Sequence, residues 1–253
     1  MTRGSKFTKS LGECPPMKEI FYDFHLHSCL SPCGDDMSTP ANIAGMAFIK
    51  GLQAVALTDH NTSRNCPAFL KHCEQYGITA LPGMELTTEE EIHVVCLFPR
   101  LELAMDFDRF VYDHLLKVPN RPEFFGEQVL RDEQDEIAGY EPNLLINATD
   151  ISFDRVYDVV TEHGGIMIPA HLDKSSTSLL SNLGFVPPDS KFKCFELHHL
   201  ENLHRIRREN PYLENCKVIC DSDAHYLEKI HEAEYKLLVE ENTPEGIIKA
   251  LSQ

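Results

Sequence analysis

Two histidines, His25 and His27, follow directly on the apolar run Ile20 to Phe24. Residues two apart on an extended strand share one face, so both imidazoles can reach a single ion from the strand's end. Near the other end of the chain, Asp223 and His225 repeat that spacing after Val218-Ile219-Cys220. Three further segments carry similar groups beside apolar runs: Thr58-Asp59-His60-Asn61, Gly83-Met84-Glu85 and Pro169-Ala170-His171-Leu172-Asp173. Imidazole and carboxylate are the N and O ligands that suit zinc, manganese or iron. One histidine at a strand end is more often a hydrogen-bonded structural residue. A succession of them, each beside a strand end, points instead to a metal hydrolase.

The elements that would position these groups alternate. Strands are predicted over Phe21 to Phe24, Ala54 to Thr58, Ile78 to Leu81, Ile166 to Ala170, Phe192 to Leu197 and Lys217 to Cys220. Between them, Thr39 is an N-cap with Pro40 at the first helical position and Gly51 as the stop, and a second helix runs from about Pro67 to Tyr76, stopping at Gly77. A third begins after Ser152, with Phe153, Val156, Val159 and Val160 as its buried stripe, and the last begins at Thr243-Pro244. Strand then helix, repeated, predicts an α/β fold whose site forms after the C-terminal ends of the strands. His93 departs from this rhythm, because it precedes its run Val94 to Phe98 and lies close behind Glu85. A local hairpin should join that pair and make the barrel irregular.

A chain of 253 residues with 42% hydrophobic content can bury one sizeable core. The expected organisation is an N-terminal extension over 1–16 and a single domain over 17–253. Within that domain, about 100–147, around the acidic run Asp132 to Glu136, reads either as an inserted helical lid or as a solvated acidic surface helix with loops. A formal net charge of −17 disfavours gripping long nucleic acid through the overall field. Nine cysteines without a disulfide framework, and no apolar leader, point to a cytoplasmic protein. No stretch reaches the roughly 18 apolar residues of a membrane span.

As an ordered set, His25-x-His27, Asp35, Asp59-His60, Glu85, His93, His171 and Asp223-x-His225 resembles the PHP (polymerase and histidinol phosphatase) superfamily of metal-dependent phosphoesterases. The resemblance runs from Phe21 to His225 and is closer to the stand-alone members than to the polymerase-linked domains. It implies a distorted seven-stranded (β/α)7 barrel, TIM-like, with two or three divalent ions (Mn2+, Fe2+ or Zn2+). One ion would lie among His25, His27, Glu85 and Asp223, with Glu85 bridging to a second held by His93 and His171. Asp35, His60 and His225 would hold a third. Asp35 is preferred to its neighbour Asp36 because it lies five residues before Pro40, as in the family pattern. Asp59, on the opposite strand face, would orient a ligand by hydrogen bond.

Adjacent divalent ions, about 3.5 to 4 Å apart in such sites, make a shared water acidic enough to attack near neutral pH and hold phosphate oxygens in line. Charge spreading over the phosphate oxygens also calls for nonmetal cations. Arg64, just beyond His60, and Lys174, just beyond His171, are the best placed, with Arg121 behind them. His198 or His199 could protonate the leaving group. Cys29 and Cys33 lie in the loop at the expected pocket mouth, and the Cys216/Cys220 spacing fits buried small hydrophobes better than zinc ligands. The expected substrate is a small phosphorylated metabolite, a nucleotide or the end of a short oligonucleotide. C–N or C–O hydrolysis by an amidohydrolase-like site, and a metal-bearing regulatory module without turnover, are the competing readings; the oligomeric state is left open.

Overall fold

The computed structural model describes residues 16–32 and 34–253. All but the last residue of the expected N-terminal extension, and Cys33, lie outside the described residues.

The described residues form ten strands: β1 (Lys18–Leu26), β2 (Ala54–Leu57), β3 (Thr79–Thr87), β4 (His93–Leu97), β5 (Val129–Arg131), β6 (Ile137–Tyr140), β7 (Ile166–Pro169), β8 (Cys194–Glu196), β9 (Lys217–Ile219) and β10 (Lys236–Val239). The helices are α1 (Pro40–Ile49), α2 (Cys66–Gln75), α3 (Leu101–His114), α4 (Pro122–Phe125), α5 (Phe153–Glu162), α6 (Leu179–Leu183), α7 (Leu203–Glu209) and α8 (Pro244–Leu251). Six strands form one sheet in the order β10-β1-β2-β3-β4-β7, and β8 and β9 pair in parallel beside it. Parallel β1, β2 and β3 are linked through α1 and α2, and β2 is buried along its whole length, as expected of a strand covered on both faces.

Local chemistry accounts for the helices that follow β1 and β2. The Thr39 hydroxyl accepts from the Asn42 amide at the start of α1 (3.3 Å), and the chain turns out of that helix at Gly51, φ 76°. Gly77, φ 69°, does the same after α2, where the left-handed backbone suits a residue without Cβ. β3 and β4 form the expected antiparallel hairpin, which sets His93 opposite Thr87. β4 is antiparallel to β7 as well, so parallel order breaks on both of its sides.

The sheet is curled. Leu172 N–H, just after β7, donates to Glu196 O in β8 (2.9 Å), and the segment after β9 bridges back to β1 at Leu26–Ala224. Phe24, Ala56, Leu81, Val95, Ile168 and Ile219 from successive strands meet inside this curl in one apolar cluster. Two outer cores pack α1 and α2 against one side and α3, α5 and α7 against the other.

The expected helical lid over about 100–147 is helical only in part. α3 buries Ala104, Phe107 and Val111 and belongs to the core. Beyond it come short α4 and the β5–β6 hairpin, whose turn is the acidic run Asp132 to Glu136. The Asp132 carboxylate accepts from the amides of Gln134 (2.9 Å) and Glu136 (3.0 Å). An aspartate that captures its own backbone in this way favours a turn over a helix.

Candidate metal centre

Every strand-end segment singled out in the sequence delivers its side chain to one end of the curled sheet. His25 lies in β1 and His27 just past it, His60 follows β2, Glu85 lies in β3, His93 opens β4, His171 follows β7, and Asp223 and His225 follow β9. Backbone bonds hold these ends in register: His27 N–H donates to Ala224 O (3.0 Å) and Asn61 N–H to Glu85 O (2.9 Å). His171 and Asp223 sit at φ 31° and 50°, a region that costs a side-chain-bearing residue of order 1–3 kcal/mol. Such strain persists only where the surroundings impose it.

The polar atoms converge without hydrogen bonding. His25 Nε2 lies 3.2 Å from Glu85 Oε1 and 3.5 Å from Asp223 Oδ1. His27 Nε2 lies 3.3 Å from Glu85 Oε2 and 3.2 Å from Asp223 Oδ1, and His60 Nδ1 lies 3.1 Å from Glu85 Oε2. All five atoms of this set other than Glu85 Oε1 are buried and make no hydrogen bond. Each unpartnered buried polar atom costs about 1–3 kcal/mol, so a cluster of them fits an ion that takes their lone pairs. The other Glu85 oxygen, Oε1, meets His93 Nδ1 at 2.9 Å and His171 Nε2 at 3.2 Å.

Among the described residues, three overlapping groups have ligand atoms within 4.8 Å of one another: His25, His27, Glu85 and Asp223; His60, Glu85 and His93; and His27, His60 and His225. The first is the set expected from the sequence. In the second, His60 joins Glu85 and His93, while His171 touches Glu85 from the side of the His25 ring. The third contains His27 where Asp35 was expected. Asp35 instead turns its carboxylate onto the Met37 amide (2.7 Å), while its own N–H donates to His225 O (3.0 Å). Asp with a free amide two residues on readily closes such a turn.

Charge states follow from the surroundings. Burial, and then the neighbouring His27, hold His60 down to about 3 and His225 down to about 4. Burial pushes the Glu85 carboxyl up, but His93, His25 and His60 overcome it and hold the group well below its usual range. Asp223 is likewise held low, by His25 and His27 against burial. Neutral imidazoles beside ionised carboxylates are the protonation states that metal ligation needs. For His25 burial works downward, yet Glu196, Glu85 and Asp223 together raise it well above its ordinary value, and His27 is raised against burial by Asp223 and Glu85.

The expected nonmetal groups are distributed unevenly. Lys174 Nζ bonds Asp223 Oδ2, with its side chain 34% exposed, so a cation stands at the edge of the cluster. Arg64 is turned away to pair with buried Glu141 (2.6 Å) and lies over the Tyr112 ring. His198 lines an open cleft of about 490 Å³ with Ser222, Asp223, His225, Tyr226, Lys229 and His231. Burial, then Lys174 and His199, lower its pKa, which works against the expected proton donation. The His199 side chain is 59% exposed and lies outside that lining. Arg121 stacks on Phe124, in the segment beyond α3.

Two groups at the cluster escaped the sequence reading. Glu196 Oε2 lies 2.8 Å from His25 Nδ1, and Ser31 Oγ lies 2.9 Å from His27 Nδ1 while donating to Asp59 Oδ1 (2.7 Å). Asp59 therefore acts on His27 through Ser31. A signal for Glu196 was present, since it is an acidic residue within the apolar run Phe192 to Leu197; Ser31 carried none.

Residues 23–177, more than half of the chain, match the family model described as PHP domain. A stretch of 79 residues is 37% identical to an uncharacterized protein of Methanocaldococcus jannaschii, covering 28% of this chain and 46% of that protein. Another of 83 residues is 31% identical to the 5'-3' exoribonuclease Rnm of Salmonella typhimurium, covering 31% of this chain and 27% of that one. These matches span less than half the length of either curated relative. Among solved structures, the lesion-specific endonuclease Q of Pyrococcus furiosus superposes with a TM-score of 0.65 at 19% identity, over 93% of this chain and 56% of that one, a likeness of fold.

Proposed function

Because the chain belongs to the PHP domain family, we propose that it is a metal-dependent phosphoesterase acting on a small phosphorylated metabolite, a nucleotide or the end of a short oligonucleotide. Two or three divalent ions, Mn2+, Fe2+ or Zn2+, would be held by His25, His27, Glu85 and Asp223, by His60, His93 and His171 around the same Glu85, and by His225 with His27 and His60. The β8–β9 pair, joined to β7 and to β1 by the bonds described above, is read as completing a distorted seven-stranded barrel, with β10 added at its edge. The observation that carries this reading is the convergence of five buried atoms, His25 Nε2, His27 Nε2, His60 Nδ1, Glu85 Oε2 and Asp223 Oδ1, none of which has a hydrogen-bond partner.

Bound ions supply Lewis acidity toward phosphate oxygens and lower the pKa of water. The protein's own groups do the rest. Lys174, whose pKa is raised by Asp223 against the pull of burial, stays protonated and presents charge to a phosphate at the cleft. His198, Tyr226, Lys229 and His231 line the space for the remainder of the substrate. Arg64 is assigned to holding the segment beyond α3 through Glu141, and His199 to the surface. The net charge of −17 favours a short or small substrate over a long polymer, while the exoribonuclease match supports an oligonucleotide end. No described helix is long and apolar enough to cross a membrane, and the seven described cysteines are free and buried, which supports a reducing cytoplasmic setting.

The test combines elemental analysis of bound metal with phosphate release from monoesters, nucleotides and short oligonucleotides on one reconstituted sample. Two or three ions per chain together with P–O cleavage are expected. Fewer than two ions, or hydrolysis confined to bonds without phosphorus, overturns the proposal.

A further inference from the structure

Each histidine of the His25/His27 pair has two ring nitrogens, and only one can face the cluster. Which nitrogen carries the proton when an ion is bound is set by the partner of the other. Behind His25, Glu196 is completely buried in β8, with Oε2 2.8 Å from Nδ1. A carboxylate accepts and does not donate, so this contact requires Nδ1–H and leaves the Nε2 lone pair for the cluster. Behind His27 the partner is a hydroxyl, which could act either way. Ser31 has one proton, and Asp59 takes it at 2.7 Å, while the His60 amide donates to the same oxygen (3.2 Å). Ser31 is therefore an acceptor toward His27 Nδ1 at 2.9 Å, and His27 too is left with Nε2 for ligation.

Both Nε2 atoms then point the way the geometry demands, toward Glu85 and Asp223. Asp59, just past β2, is itself anchored, accepting from the Ser28 amide (2.7 Å) and hydroxyl (2.6 Å), so the relay is fixed by the segment that follows β1. Glu196 lies in β8, while Ser31 and Asp59 lie in the segments after β1 and β2, so the two rings are approached independently.

We propose that Glu196 and the Ser31–Asp59 relay are positioning residues that lock His25 and His27 as Nδ1–H tautomers and so aim both Nε2 lone pairs at one divalent ion. The proposal rests on the metal-holding reading above. Replacing Glu196 by Ala removes the acceptor, whereas Glu196→Gln keeps an amide oxygen that can still accept. Loss of such an outer partner typically weakens metal binding about 10- to 100-fold.

The experiment titrates Zn2+ into the full chain by competition with a chromophoric chelator, for wild type, Glu196→Ala, Glu196→Gln and Ser31→Ala. It also records the histidine side-chain 1H–15N spectrum of the Zn2+-loaded wild type, which needs no variant to fold. Expected are Nδ1–H signals for His25 and His27, a dissociation constant raised about 10- to 100-fold in Glu196→Ala and Ser31→Ala, and most of that loss recovered in Glu196→Gln. An Nε2–H tautomer at either ring, or unchanged affinity in both alanine variants, overturns the positioning role while the metal reading stands. Failure of the wild type to bind Zn2+ at all overturns the metal reading, and the positioning role with it.

Discussion

Glu85 and Asp59 are carboxylates buried to the same degree, at the ends of neighbouring strands, and their surroundings are built in opposite ways. Around Asp59 stand donors: the Ser28 amide and hydroxyl and the Ser31 hydroxyl, all within 2.7 Å. Against the Glu85 oxygens stand imidazoles, and Oε2 has two of them, His27 and His60, within 3.3 Å and no hydrogen bond. The first carboxylate is finished by its own chain. The second is left incomplete at a stability cost, which marks the place where a ligand completes it. Burial alone would not have told the two apart.

That contrast can be broken by experiment. Glu85→Gln should remove bound metal and reduce phosphate release more than about 100-fold, exceeding the loss expected of an outer partner; metal content and turnover measured on one sample check it. If Glu85 were a structural carboxylate like Asp59, the main effect would be on folding instead. Asp59→Ala strands three donors and should lower stability by about 2–4 kcal/mol in urea unfolding of chelator-treated protein, more than Glu85→Gln does. Glu141→Ala leaves Tyr112, Asn143 and Arg64 without their partner, and should cost about 1–2 kcal/mol with metal content unchanged.

A pH titration sharpens the same contrast. His25 and His27 are raised, so each binds a proton more readily as pH falls, and an ion must displace it. Metal affinity should therefore drop with falling pH, by about tenfold per unit for each proton displaced, in competition titrations between pH 8 and 6. An affinity independent of pH in that range would contradict it. Smallest of all should be the response of the buried thiols. Burial pushes Cys29 up to about 11 and Cys66, Cys73 and Cys96 higher still, so peptide mapping after alkylation at pH 8 should find these four unlabelled in the native protein.

Much of the candidate site was legible because its residues announce themselves twice, by type and by position after an apolar run. His25, His27, Glu85 and Asp223 could be grouped from spacing and family resemblance, and they stand within 3.5 Å contacts of one another. Asp35 shows where that reading ends. Its place five residues before Pro40 suits a ligand, but its carboxylate has a local partner in the Met37 amide, and local competition is not encoded in ligand spacing. Arg64 shows the same thing at longer range. It follows His60 closely in sequence, yet Glu141, from beyond β6, claims its guanidinium. The segment beyond α3 was hard to read because short β5 and β6 carry little periodicity and their turn looks like a charged helix face.

The amino-acid sequence by itself determined the alternation of strands and helices, the ends at which the ligand types would emerge, and the hairpin that brings His93 back to Glu85, because apolar periodicity, capping residues and glycine stops act within a few residues. Which nitrogen each histidine turns inward, which carboxylates are finished and which are left open, and which cation stays beside the cleft were decided only when the sheet curled. Glu196, Ser31 and Lys174 reach His25, Asp59 and Asp223 across 171, 28 and 49 positions of chain respectively. Hydrogen-bond satisfaction is a property of the assembled neighbourhood, and only the closed fold brings that neighbourhood together.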